Sequence, residues 1–173
     1  MKKLNFLSLA VPMSILFLSV GCDKIKDALD ITFTTNEIEI TFTVNPAPAG
    51  DYTSTQQVVQ SDLKQQIEDN GGDASKIRSI KIEECKFEVV TPDRTFKEFQ
   101  SANLYLNTTK IAWVDNIPES STSETMTFTQ DNLDSFLTDE TYTGVAKGVL
   151  DQELTTAITI KAKIKYSVKV SAL

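Results

Sequence analysis

From Ile158 to Val170 the chain alternates without a break. Ile158, Ile160, Ala162, Ile164, Tyr166, Val168 and Val170 hold one parity; Thr159, Lys161, Lys163, Lys165, Ser167 and Lys169 hold the other. A period of two sustained over this length describes a β-strand with one dry face and one wet face. It does not fit an amphipathic helix, whose apolar residues recur at three and four. Nor does it fit a strand of a parallel sheet buried on both faces.

The remaining strands follow the same signal. Ile31 to Thr34 and Ile38 to Val44 read as one long strand with a phase change near Thr35 to Glu37. Leu104, Leu106, Ile111 and Trp113 suggest another, interrupted around Asn107 to Lys110. In Ile80 to Val89, Ile80 and Ile82 share a face that Cys85, Phe87 and Val89 continue only if an extra residue is inserted at Glu83 or Glu84. That predicts a β-bulge, with Cys85 pointing into the core. Thr141 to Leu150, weakened by Gly144 and Gly148, reads as a strand paired with Thr155 to Val170 through a turn near Asp151.

Two short helices are expected. Val59, Leu63 and Ile67 form a narrow stripe stopped by Asn70-Gly71-Gly72. The second covers Asp131 to Leu137, with Thr129 as its cap. Strands dominate, and 21 threonines suit half-exposed pleated surfaces. The expected fold is all-β with minor helix: a single antiparallel β-sandwich over 31–173 carrying two short helices. A single curved sheet wrapped on a helix is the second possibility.

The first 22 residues do not belong to that domain. Lys2 and Lys3 precede an apolar run from about Leu4 to Val20, and Gly21-Cys22 is followed directly by Asp23. This is the pattern of a removed targeting segment over 1–21. The junction Leu18-Ser19-Val20-Gly21-Cys22 resembles a bacterial lipoprotein lipobox in the looser form of the Bacteroidota, with Ser19 where the usual pattern has Leu. The resemblance implies cleavage before Cys22, a diacylglyceryl group on its sulfur, acylation of its amine and an outer-membrane lipid anchor. Residues 22–30 then hold the lipidated cysteine and a short tether, whose eight residues Asp23 to Asp30 reach at most about 29 Å. Asp23-Lys24-Ile25-Lys26-Asp27 only partly resembles the acid-rich export signal of surface lipoproteins, so both the periplasmic and the cell-surface side remain open.

Cleavage removes Lys2 and Lys3 and no acid, leaving 15 basic against 24 acidic side chains, a formal charge of −9. A nucleic-acid partner is not expected of such a chain. With Cys22 acylated, Cys85 has no disulfide partner in an oxidising compartment, which again argues for its burial. The sequence contains no histidine. Ser-His-Asp and Cys-His systems, histidine bases and histidine zinc ligands are therefore unavailable.

Few constellations for chemistry remain. Ser61-Asp62-Leu63-Lys64 matches the S-x-x-K of serine acyl-transfer sites, but S-D-N and K-T-G are absent. Glu68 to Asp73 has the acidic, glycine-bearing composition of a calcium loop without its spacing, and helix termination explains it as well. Asp131, Asp134, Asp139 and Glu140 form a second acidic group. Glu83 and Glu84, as strand neighbours, face opposite ways. Asn107-Thr108-Thr109 is a formal glycosylation sequon. The most unusual feature is Lys161, Lys163, Lys165 and Lys169 on one strand face. They form a possible surface for an anionic envelope partner such as lipid headgroups or acidic polysaccharide. Pairing with glutamates such as Glu39 or Glu88, or protection against edge aggregation, explains them more simply.

The expected function is that of a membrane-anchored, non-enzymatic binding or scaffolding lipoprotein. No catalytic residue, metal site or cofactor is assigned. The alternative is a carrier holding a lipid or other hydrophobic ligand between the sheets.

Overall fold

The alternating segment forms the centre of the first sheet. The computed structural model describes residues 30–134 and 139–171; the targeting segment, Cys22 and most of the tether lie outside the described residues. Ile158–Ser171 is flanked on one side by Ile77–Val89 and on the other by two short strands in line, Asp30–Thr34 and Ile38–Val44. In chain order these are β11, β5, β1 and β2, and β8 (Ser123–Thr125) pairs with β5. All seven inward residues of β11 are at most 1% exposed. Burying each large aliphatic one contributes about 1.5–3 kcal/mol.

The second sheet is built the same way around β10 (Thr141–Leu150). One edge carries β3 (Gly50–Thr53) and β4 (Gln57–Gln60) in line. The other carries β6 (Phe99–Leu106), then β7 (Thr109–Asp115) and β9 (Thr127–Phe128). Every pairing is antiparallel, so the β-sandwich expected from the alternation is the fold observed. Between the sheets Phe42 packs on Phe87, and Phe99 meets both Tyr52 and Phe96 edge to face at 5.2 and 5.6 Å.

Several local expectations hold. The β5 bulge falls at Glu83, where the register passes from Lys165 opposite Glu84 to Tyr166 opposite Ile82, and Cys85 is fully buried. Others need correction. Leu104 to Trp113 is not one interrupted strand but the β6–β7 hairpin, whose two-residue loop starts at Asn107 with a φ of 53°. Asparagine tolerates that left-handed conformation better than most residues. Thr141 to Leu150 is a strand, but it pairs with β6, β3 and β4 rather than with β11. Residues 151–157 cross between the sheets, held by a bridge between Ala47 and Leu154. The first helix, α1, spans only Leu63–Asp69, because Val59 belongs to β4. Of the second, Asp134 is helical while Asp131 to Leu133 are not, and Ser135 to Leu137 lie outside the described residues.

The breaks in the edge strands are closed by side chains that stand in for backbone carbonyls. Between β1 and β2, the Thr35 N–H donates to the Tyr166 carbonyl at 2.9 Å, and the Tyr166 N–H donates to Thr35 Oγ1 at 3.0 Å. Between β3 and β4, Ser54 makes the same pair of bonds with Ala146, at 2.8 and 2.9 Å. Thr55 repeats the arrangement with Thr43 of β2, at 2.9 and 3.2 Å, and so joins the two sheets along one side. On the opposite side, Ser123 to Phe128 pairs first with β5 and then with β7, and the buried Met126 lies at the crossing.

α1 seals the gap beside the β1–β2 break. Leu63 and Ile67 face inward, while the buried Gln66 accepts the Asn36 N–H at 2.8 Å and donates to Asp62 at 2.9 Å. Gly71, at a φ of 78°, ends the turn after the helix as the sequence implies. In β10, Gly148 has a separate role. A Cβ there would lie 2.1 Å from the Ser101 carbonyl oxygen and 2.8 Å from the Tyr52 ring. Close approach of β6 to β10 therefore requires glycine, and the Tyr52 ring covers the position from the facing strand.

Thr35→Val and Ser54→Ala each leave a buried backbone N–H without its acceptor. Each is expected to cost about 1–3 kcal/mol in urea denaturation, whereas Thr35→Ser retains most of the stability. Gly148→Ala is expected to cost about 1–3 kcal/mol by the same measurement, since backbone must move to admit the methyl group.

Candidate functional site

Each sheet presents one outer face to solvent, and the two faces differ in how their charges are partnered. On the first sheet, β11 projects Lys161, Lys163, Lys165 and Lys169 together, as its alternation requires. Neighbouring strands supply a carboxylate to each. Lys161 pairs with Glu39 at 2.8 Å, Lys163 with Glu88 at 2.7 Å, Lys165 with Glu84 at 3.1 Å and Lys169 with Asp30 at 2.8 Å. The first two cross diagonally: in register Lys161 stands opposite Glu88, and Lys163 opposite Glu39. Lys86, directly opposite Lys163, pairs with Glu84, which thus serves two lysines.

The titration behaviour follows from that lattice. Hydrogen bonds from Lys86 and Lys165 hold the Glu84 carboxyl below the usual carboxylate range, and Lys161 does the same to Glu39. Glu88 and Glu84 raise Lys163 and Lys165 respectively. The ladder is thus a mixed-charge lattice, the cross-strand pairing with Glu39 and Glu88 that the sequence suggested, and an incoming anion competes there with carboxylates already in place.

The outer face of the second sheet is built differently. Leu104 and Leu106 point inward, so Tyr105 between them points out. In β7 the register shift places both Ile111 and Ala112 inside, which turns Trp113 outward instead of leaving it with Ile111. Trp113 stands opposite Asn103, and Tyr105 opposite Val145. Lys110 lies with its ammonium 5.2 Å from the Trp113 ring centre, and Lys147 lies 5.0 Å from that of Tyr105. Such contacts are ordinary cation–π geometry. Among the described residues neither lysine has a carboxylate within ion-pair distance. The nearby outward acids, Asp51 opposite Val149 and Asp115 opposite Ser101, lie one row further along the strands.

The other candidates do not assemble into sites. Ser61 precedes α1 rather than lying on it, so Ser61 and Lys64 are not one helical turn apart. Cys85 is enclosed, contacts the Met126 sulfur at 3.6 Å and has its thiol pushed up to about 12 by burial. Glu68 to Asp73 ends one helix and starts a short 3-10 turn, where Asp73 accepts from the Ser75 N–H. Asp131 accepts from Thr129, and Asp134 from Asn132. Among the described residues no three metal-ligating side chains converge. An open cleft of about 1180 Å³ runs beside α1, lined largely by polar and acidic groups including Asp62, Glu68, Asp139 and Glu140. Among the described residues no helix is long and apolar enough to cross a membrane.

Because the folded-state pKa of Glu84 is depressed, its pairing stabilises the fold above the ordinary carboxylate range and is lost as pH falls through the lowered value. The urea midpoint of the wild type is expected to fall on acidification below about pH 4.5. Glu84→Gln should start from a lower midpoint at pH 7 and show a shallower acid decline. Compared with known proteins, the chain matches no family model and none of the curated sequences.

Proposed function

We propose that the chain is an envelope lipoprotein, anchored through Cys22, whose sandwich acts as a binding or scaffolding module rather than as an enzyme. The observation that carries this reading is the contrast between the two outer faces. One pairs each of the four outward lysines of β11 with a carboxylate, while the other holds Lys110 and Lys147 on aromatic rings beside Val145 and Asn103. Aromatic side chains give a binding face large contact area at low entropic cost, and cations on their faces add selectivity for charge. The lipobox-like junction at Cys22 and the short tether keep such a face close to the membrane. The interior supports surface recognition over carriage of a ligand, because buried side chains of both sheets share one core, and a Cβ at Gly144 of β10 would lie 3.3 Å from Ile40 and 3.4 Å from Phe42 of β2.

Labelled palmitate should be incorporated by the full chain, which should fractionate with the outer membrane; Cys22→Ala should lose both properties. The anchor-free chain 23–173 should sediment with isolated envelope fragments. Trp113→Ala with Tyr105→Ala should weaken that binding at least tenfold, and Lys161→Ala with Lys163→Ala should leave it nearly unchanged. Envelope binding indifferent to Trp113 and Tyr105, or release of a lipid-sized adduct from the purified chain, would overturn the reading.

A further inference from the structure

We infer that the outer face of the second sheet binds an anionic glycan, a chain of sugar rings carrying carboxylate or sulfate groups. The inference rests on the binding-module reading and specifies its ligand. The face is a pleated surface rather than a pocket, and its two aromatic rings sit on adjacent strands. Trp113 is level with Asn103, and Tyr105 lies two residues further along β6, about 6.6 Å away along the strand. Two ring faces at that spacing suit the apolar faces of consecutive sugar rings better than a single compact ligand.

Charge then narrows the class. Lys110 and Lys147 each hold an ammonium over one face of a ring, so an acidic group on a sugar packed beside that lysine meets a cation. The cations are confined to this patch, with Asp51 and Asp115 one row beyond it. A continuous anionic surface such as a lipid headgroup layer would press against those carboxylates, and against a mature chain carrying a formal −9. A linear polymer with spaced charges can place its acids on the two lysines and its uncharged edges elsewhere. Along β10, Val145 and Val149 flank Lys147 and extend the apolar floor.

The test uses an intrinsic reporter, because Trp113 is the single tryptophan of the chain. The full-length protein in neutral detergent micelles is titrated with oligogalacturonate and with chondroitin sulfate oligosaccharides. Controls are methyl-esterified oligogalacturonate, desulfated chondroitin and micelles doped with phosphatidylglycerol. Saturable change in Trp113 emission with at least one anionic glycan, reduced at least tenfold in affinity by neutralising that glycan's acid, is the expected result. Lys110→Gln with Lys147→Gln should weaken binding at least tenfold while leaving the urea midpoint nearly unchanged. Tyr105→Ala should weaken it with the tryptophan reporter still present.

Equal binding of the neutral glycans, or a response to phosphatidylglycerol alone, would overturn the inference. So would silence toward both anionic glycans. In each case the envelope-sedimentation result with Trp113→Ala and Tyr105→Ala decides separately whether the face is a binding surface at all.

Discussion

Everything in this fold depends on satisfying the backbone of β11 along both of its edges. A buried strand cannot leave N–H and C=O groups unpaired without a penalty comparable to a lost hydrogen bond for each. β11 is 14 residues long, longer than either β1 or β2, so its second edge is covered by the two in succession. That arrangement creates a gap, and Thr35 fills it by lending its hydroxyl where a carbonyl is missing. β10 poses the same problem in the other sheet, and Ser54 solves it the same way. The abundance of threonine thus has two sources: pleated surfaces that favour β-branched side chains, and breaks that need a short side-chain acceptor.

Such side-chain acceptors extend beyond the two breaks. Thr91 Oγ1 accepts the Thr159 N–H at 2.7 Å just after β5 ends, and Asn107 Oδ1 accepts the Thr143 N–H at 2.9 Å at the hairpin tip. Asn132 Oδ1 accepts the Ile80 N–H at 2.8 Å, while the Leu133 N–H returns to the Ile80 carbonyl. Each case keeps a ladder paired past the point where regular strand geometry stops. A sandwich with short strands and frequent breaks can therefore bury a continuous core while these backbone donors stay paired.

The sequence was most informative where one strand's own pattern decides the outcome. The alternation of β11, the break near Thr35 and the extra residue at Glu83 are visible because inward and outward residues must stay in phase with a dry core. Partnership between strands was less legible. Nothing in Thr141 to Leu150 says that residues 151–157 cross to the other sheet, and proximity in sequence favoured the wrong neighbour. The same limit governed the surfaces. The four lysines of β11 are plain in the sequence, but Glu39, Glu84, Glu88 and Asp30 reach them through register, which alternation does not encode. Tyr105 could have been placed outward from the parity of Leu104 and Leu106. Trp113 could not, because the register shift that turns it outward leaves two adjacent apolar residues, Ile111 and Ala112, both inside.

The coverage of β5 determines what a neighbour meets along that flank of the first sheet. Away from β11, its backbone is taken up by Asn132 and Leu133 near Ile80, by Met126 at Cys85, by β8 from Lys86 to Glu88 and by Thr122 at Val89. Strand addition, in which a guest peptide extends a sheet through main-chain bonds largely indifferent to its sequence, is thereby closed off along that flank. Recognition there falls to side chains. Any neighbour that approaches this flank, an identical copy included, meets side chains rather than open backbone.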